Sequence, residues 1–160
     1  MYYTKLQSPL GPLLLAANDR GLRFLSFAAR KRAILPQPDW TQDRTPFREA
    51  ILQLQAYFRG ELKEFDLPLD LEGSAFQLRV WQSLRTIPFG KTISYGELAQ
   101  LIGKPKAARA VGLANSLNPI PIVVPCHRVI GSNGNLTGYG GGLSIKEKLL
   151  SFESGQLRLL

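Results

Sequence analysis

The chain has 160 residues, 44% of them hydrophobic and 20% charged, a globular balance with enough length to bury a core. Its 20 Lys plus Arg outnumber 12 Asp plus Glu for a net charge of +8, which favours a polyanionic partner, and its one cysteine (Cys126) and one histidine (His127) exclude an internal disulfide and a zinc-held fold. No run approaches the roughly 18 apolar residues of a membrane span, and Met1 to Ala17 lacks the unbroken apolar stretch of a signal peptide, so a soluble cytoplasmic protein without membrane association is expected.

The first segment reads as antiparallel strands, Tyr2 to Leu6, Pro12 to Ala17 and Leu22 to Phe27, separated by turns at Ser8-Pro9-Leu10-Gly11 and Asn18-Asp19-Arg20-Gly21. Ala28 to Arg44, with Pro36 and Pro38, reads as mostly loop. Thr45 followed by Pro46 predicts a cap and first turn for a helix running to about Arg59, with Phe47, Ile51, Leu54 and Phe58 on its buried face. From Glu61 to Gly73 apolar and polar residues alternate around Pro68, which predicts an edge strand or an extended linker. The domain boundary is placed here, giving domains 1–72 and 73–160.

Ser74 with Gln77 is a capping box for a helix to about Arg85, broken by Pro88-Phe89-Gly90. Ser94 with Glu97 repeats the signal for a short helix, Tyr95 to Leu101, ended by Gly103. A second helix is predicted from about Lys106 to Asn115, and the pair has the pattern of a helix-turn-helix. Lys104, Lys106 and Arg109 stand at the start of that second helix, where a recognition helix reaches a groove. Ile122-Val123-Val124 predicts a short buried strand delivering Pro125-Cys126-His127-Arg128-Val129 at its end. A glycine-rich loop follows, and Ser144 with Glu147 predicts a capped final helix, Ile145 to Ser154. The class is thus α+β, a small antiparallel-sheet N-terminal lobe plus a mostly helical, winged-helix-like C-terminal lobe. Charge divides between them unevenly, +1 on residues 1–72 and +7 on residues 73–160, so the second half is the one expected to meet an anion.

The thiolate is the reactive form of cysteine, and basic surroundings or an imidazole partner favour it. Cys126 has both nearby in sequence. Adjacent residues on extended backbone point to opposite sides, so a water could relay a proton between Cys126 and His127. The candidates for a carboxylate partner of His127 are Glu97, Glu147 and Glu153, the three acids of this half.

Pro125-Cys126-His127-Arg128-Val129, preceded by Arg109-Ala110-Val111-Gly112 and Asn118-Pro119, resembles the motif of the O6-alkylguanine-DNA alkyltransferases, the methylated-DNA-protein-cysteine methyltransferases. The match runs from Phe76 through Tyr95 to Glu153, and the N-terminal half matches loosely. The resemblance implies DNA repair by direct reversal. Cys126 would accept the alkyl group of O6-alkylguanine irreversibly, with O4-alkylthymine left open, and no metal or cosubstrate would be required. It further implies that Glu153, His127 and a water activate the thiol, that Asn118 braces the segment, and that Tyr95 turns the nucleotide out and helps protonate the leaving guanine. Arg109 would fill the gap in the base stack, with Ser116 near the DNA backbone. Val129, Tyr139 and Gly140 would line the base pocket, Gly140 standing where some relatives have a serine. The zinc ligands of some relatives' N-terminal half are absent. The expected partner is double-stranded DNA bound by a monomer, with cooperative assembly left open. Rival readings are a lesion binder of the type that lacks the cysteine, a transcription regulator using the helix-turn-helix, and a cysteine hydrolase, for which adjacent Cys and His make poor triad geometry.

Overall fold

The computed structural model describes residues 1–30, 33–136, 139 and 142–160. The chain divides into two compact units, Met1–Leu71 with Arg158–Leu160, and Glu72–Leu157.

The first unit is a four-stranded sheet with one helix. Strands β1 (Tyr2–Leu6), β2 (Leu13–Asn18) and β3 (Gly21–Phe27) form two antiparallel pairs, and the sheet order is β3-β2-β1-β4. The central strand, β2, buries Leu13 to Ala17 without a break, which suits a strand covered on both faces. Its turn into β3 is built by Asn18, whose Oδ1 accepts the amides of Arg20 (2.9 Å) and Gly21 (3.2 Å). Gly21 has φ 151°, and a Cβ there would stand 2.5 Å from the Pro68 carbonyl oxygen, so no other residue fits.

Three local expectations change. The segment read as loop contributes a two-residue strand, β4 (Thr41–Gln42), which pairs parallel to β1 and makes the sheet mixed. Thr45 is not a helix cap: Thr45–Phe47 is a turn of 3-10 helix whose Thr45 amide is taken by Asp43 Oδ1 at 2.9 Å. The α-helix proper, α1, is Arg48–Phe58. Its predicted face is buried at Phe47, Ile51, Leu54 and Phe58. Gln53 on the same helix exchanges two 2.9 Å hydrogen bonds with the backbone of Asp66. These pin the alternating 61–73 segment, which joins the edge of β3 by a single parallel bridge, Leu22 to Leu69.

The second unit is helical. Helix α2 (Ala75–Leu84) opens on the Ser74/Gln77 capping box and α3 (Tyr95–Leu101) on the Ser94/Glu97 box, both with reciprocal bonds in place. Helix α4 (Ala108–Ser116) completes the helix-turn-helix after Gly103, at φ 75°. It starts at Ala108, two residues later than predicted, because Lys104 to Lys106 form the turn that the glycine and Pro105 initiate. Trp81 on α2 donates its indole N–H to the Ala114 carbonyl at 2.9 Å, locking α2 to α4. A parallel pair, β5 (Ile93–Ser94) with β6 (Val129–Ile130), ties the start of α3 to the segment after Cys126. Helix α5 (Leu143–Glu153) follows. Ser144 does not cap it, since α5 begins at Leu143 behind Gly142 at φ 99° and has no side-chain cap.

The strand predicted at Ile122–Val124 is absent. Pro119, Pro121 and Pro125 remove the amides that a ladder would need. The chain instead folds back tightly, with the Val124 amide on the Ile120 carbonyl at 2.9 Å and Ile122 at φ 73°. Cys126–Arg128 is then one turn of 3-10 helix, not the end of a strand. No helix among the described residues is long and apolar enough to cross a membrane.

Replacing Leu54, fully buried on α1, by Ala is expected to cost about 2–5 kcal/mol in urea unfolding. Leu52→Ala on the same helix, 55% exposed, is expected to stay within about 0.5 kcal/mol. Equal costs would contradict the assigned helix face.

Candidate functional site

A β-branched residue at φ 73° is strained by about 1–3 kcal/mol, so the Ile122 turn needs its surroundings to hold it. Asn118 does this: its Oδ1 accepts the Ile120 amide at 3.0 Å and its Nδ2 donates to the Val124 carbonyl at 2.8 Å. One turn further, Asn115 Nδ2 donates to the Cys126 carbonyl at 3.2 Å. Two buried asparagines from the end of α4 and just after it therefore fix the backbone on either side of Pro125. The thiol they position is only 3% exposed.

His127 is fully buried, and its Nε2 lies 2.7 Å from Glu153 Oε2. Of the three acids considered, Glu153 is thus the one that reaches the imidazole. Glu97 is held in the Ser94 capping box and Glu147 lies exposed on α5. Glu153 ends α5, where the helix dipole disfavours an anion, yet it is buried. Arg128 compensates. Its Nε and Nη2 donate to the two carboxylate oxygens at 2.8 and 2.9 Å, and its Nη1 donates to the Ile87 carbonyl at 2.6 Å. Burial pushes the Glu153 carboxyl up, but the hydrogen bonds and charges of His127 and Arg128 outweigh it and hold the group well below the usual carboxylate range. For His127, burial dominates the pull of Glu153 and pushes the imidazole down.

An ionised carboxylate only accepts, so Nε2 carries the imidazole proton. The other ring nitrogen, Nδ1, is buried and has no hydrogen-bond partner among the described residues.

Lys146 was not anticipated. It is fully buried, its Nζ donates to the Val129 carbonyl at 2.6 Å and lies 5.9 Å from the centre of the Tyr95 ring. Burial pushes its ammonium down to about 8, against an opposing electrostatic attraction to Cys126. The signal for Lys146, and for Glu153 as its companion, was periodicity: they lie seven residues apart on α5 in the same buried stripe as Leu149. Charged residues in a core stripe require partners, and here both have them. Arg128, quoted only as part of a motif, was likewise missed, although its burial forces a carboxylate beside it.

Tyr95 opens α3 half-buried, its ring against α4 where a Cβ on Gly112 would lie 3.7 Å from it. Val129 and Tyr139 are buried, and Gly140 lies outside the described residues. The remaining predicted residues are not gathered at the thiol. Lys104 and Lys106 are exposed in the turn before α4, and Arg109 is exposed in its first turn. Ser116 ends that helix half-buried, its hydroxyl on the Leu113 carbonyl at 2.7 Å. The site therefore has a buried part, around Cys126, and a basic surface part, on the helix-turn-helix.

The sequence matches two family models, 6-O-methylguanine DNA methyltransferase, ribonuclease-like domain over residues 1–71 and DNA binding domain over residues 75–155. It is 56% identical over 153 residues to a methylated-DNA-protein-cysteine methyltransferase of Methanosarcina acetivorans, covering 96% of this chain and 98% of that protein. It is also 56% identical over 151 residues to the protein of that name from Mycolicibacterium paratuberculosis, covering 94% and 91%. Among solved structures, Mycobacterium tuberculosis OGT in complex with DNA superposes with TM-score 0.90 at 52% identity, over 98% of this chain and 94% of that one. O6-methylguanine-DNA methyltransferase from Pyrococcus kodakaraensis gives 0.69 at 26% identity, over 95% and 98%.

Both buried groups, His127 and Glu153, have folded values below their ordinary ones, so each contributes stability above its ordinary value that is lost as pH falls. The loss is expected to begin near pH 6.5 through His127 and to deepen below about pH 4.5 through Glu153. Glu153→Gln, which strands Arg128, is expected to cost about 3–5 kcal/mol at neutral pH and to flatten the acid limb. Thermal melts from neutral to acid pH on both proteins check this; parallel acid limbs would contradict it.

Proposed function

Because the chain belongs to the 6-O-methylguanine DNA methyltransferase family, we propose that it repairs DNA by moving the alkyl group of O6-alkylguanine onto Cys126, once per molecule. The observation that carries the reading is the buried thiol beside an imidazole whose Nε2 is held by Glu153 and whose Nδ1 has no partner among the described residues. A base held like this lacks only the proton it is to receive.

The chemistry is displacement at an alkyl carbon. His127 Nδ1 takes the Cys126 proton, through a water if one bridges them, and Glu153 steadies the imidazolium that results. The sulfur attacks, an S–C bond forms, the C–O6 bond breaks, and its electron pair leaves with the guanine, which regains one proton. Tyr95, beside Lys146 at the start of α3, is the group we assign to that protonation. The backbone of Cys126 and Val129, with Tyr139, would line the base pocket.

A buried thiol cannot reach a base inside a duplex, so the nucleotide must be turned out. We assign the gap it leaves to Arg109, exposed in the first turn of the second helix of the helix-turn-helix, where such helices address a groove. Lys104, Lys106 and Ser116 would contact phosphates on either side of it. Binding as a monomer to double-stranded DNA suffices for this chemistry. A thiol acceptor works only where it stays reduced, which supports a cytoplasmic location.

Incubation with duplex DNA carrying O6-methylguanine is expected to add the mass of one methyl group to Cys126, stoichiometrically and without turnover, in an intact-mass spectrum. No adduct, or repeated turnover, would sink the reading. Cys126→Ala is expected to abolish transfer while leaving DNA binding. Arg109→Ala is expected to slow reaction with duplex substrate more than with the free modified base; equal losses would contradict its role in the stack.

A further inference from the structure

Arg128 contacts no group assigned to the substrate, yet each of its three guanidinium nitrogens makes a short bond inside the protein. A buried ion pair of this kind is weak evidence for stability, since an apolar pair of similar volume often does as well. Its geometry shows a different use. Glu153 Oε2, which accepts Arg128 Nη2 at 2.9 Å, is the same oxygen that accepts His127 Nε2 at 2.7 Å.

A buried carboxylate facing an imidazole alone would draw a second proton onto it. The resulting imidazolium carries hydrogen on both nitrogens and has no lone pair with which to take up a thiol proton. A cation already bonded to both carboxylate oxygens removes that pull.

We propose that Arg128 is a positioning residue for thiol activation: its fork supplies the countercharge of Glu153, so that His127 stays uncharged with its proton on Nε2 and its Nδ1 lone pair directed to the Cys126 proton. The other groups around the imidazole act with it. Burial is the largest influence against protonation of His127, and Lys146, on α5 with Glu153, adds a second cation whose weaker field works in the same direction as that of Arg128. Cys126, on the imidazole's own turn, supplies the proton. From α4 the uncharged Asn115 amide reaches this turn, and α2 buries only the apolar Val80, Trp81 and Leu84. When the thiol proton arrives at Nδ1, the imidazolium is formed against a carboxylate still held in place, and the sulfur is left as thiolate.

The inference rests on Cys126 being the alkyl acceptor, but its main test needs no substrate. The chain has one histidine, so the imidazole nitrogens give unambiguous NMR signals. Across about pH 6 to 8, the unaltered protein is expected to show a neutral imidazole protonated at Nε2. An imidazolium at neutral pH, or a proton on Nδ1, would overturn the proposal without any variant. In Arg128→Met the apparent pKa of the His127–Glu153 pair is expected to rise by about one unit or more into that range. Single-turnover alkyl transfer should then fall roughly tenfold per pH unit below the new midpoint and recover above it. Arg128→Lys, which keeps the charge without the fork, should hold the midpoint close to that of the unaltered protein. Arg128→Met with an unchanged imidazole titration and a rate lowered equally at every pH would show a merely structural arginine, as would Arg128→Lys shifting as far as Arg128→Met. Should Arg128→Met not fold, the tautomer of the unaltered protein and the Arg128→Lys titration decide the question. Failure to form the Cys126 adduct would remove the acceptor reading instead, so the two failures are distinguishable.

Discussion

Burying the Glu153 carboxylate is unfavourable by several kcal/mol unless donors replace the water it loses, and two other parts of the second unit converge on α5 to supply them. His127 and Arg128 come from the turn after Pro125, and the Gly90 amide lies 3.5 Å from Oε1. Arg128 extends the arrangement to the segment between α2 and β5 by donating to Ile87. The carboxylate therefore closes only when α5, the 3-10 turn and the 87–90 segment are all in register. Assembly of the buried site and folding of this unit are one event, because a partly formed network leaves a charge exposed to a low-dielectric interior.

The thiol depends on that closure from one side and on the Asn115–Asn118 brace from the other. Three prolines around Ile122 prevent the segment from joining a sheet, so its backbone groups must find partners among side chains. Asn118 provides both a donor and an acceptor to the strained turn, and Asn115 takes the Cys126 carbonyl. Such a turn presents Cys126 on a fixed backbone with Val129 passing directly into β6, whose pairing with β5 brings the start of α3, and with it Tyr95, to the same end of the unit.

Elements whose signals are local were legible in the sequence: the two capping boxes at Ser74 and Ser94, the Phe47-Ile51-Leu54-Phe58 stripe and the first hairpin each depend on residues within one or two turns of each other. The misreadings have a common physical cause. Ile122-Val123-Val124 has the composition of a strand, but the flanking prolines and Asn118 override propensity through contacts three to six residues away. Thr45 and Ser144 have the chemistry of caps, yet the helices begin elsewhere, because Asp43 takes the Thr45 amide and Gly142 can adopt the left-handed backbone that starts α5. In the site, the Cys126-His127 pair and its motif were visible. The burial of Arg128 and Lys146 was not, because their partners lie 25 and 17 residues away in the chain.

That last point alters how the net charge is to be read. Counting put +7 on residues 73–160 and assigned the excess to an external anion. Two of those cations, Arg128 and Lys146, are buried, one bonded to Glu153 and the other to the Val129 carbonyl, and a third, Arg79, donates to the Ile102 carbonyl at the end of α3. The first two serve the interior, while Arg79 remains exposed. At the surface, Lys104, Lys106 and Arg109 stand exposed together in the turn and first helical turn of α4, with Arg79, Arg85, Lys91, Lys148 and Arg158 exposed elsewhere. The same excess of basic residues thus divides in two: a surface set that can attract a polyanion at long range, and the buried pair Arg128 and Lys146, of which Arg128 holds Glu153 ionised and both oppose protonation of His127. Salt screens the first set far more than the second, because exposed charges are shielded over a Debye length of about 8–10 Å while buried pairs are not. On the proposed reading, association and thiol activation are therefore governed by different cations.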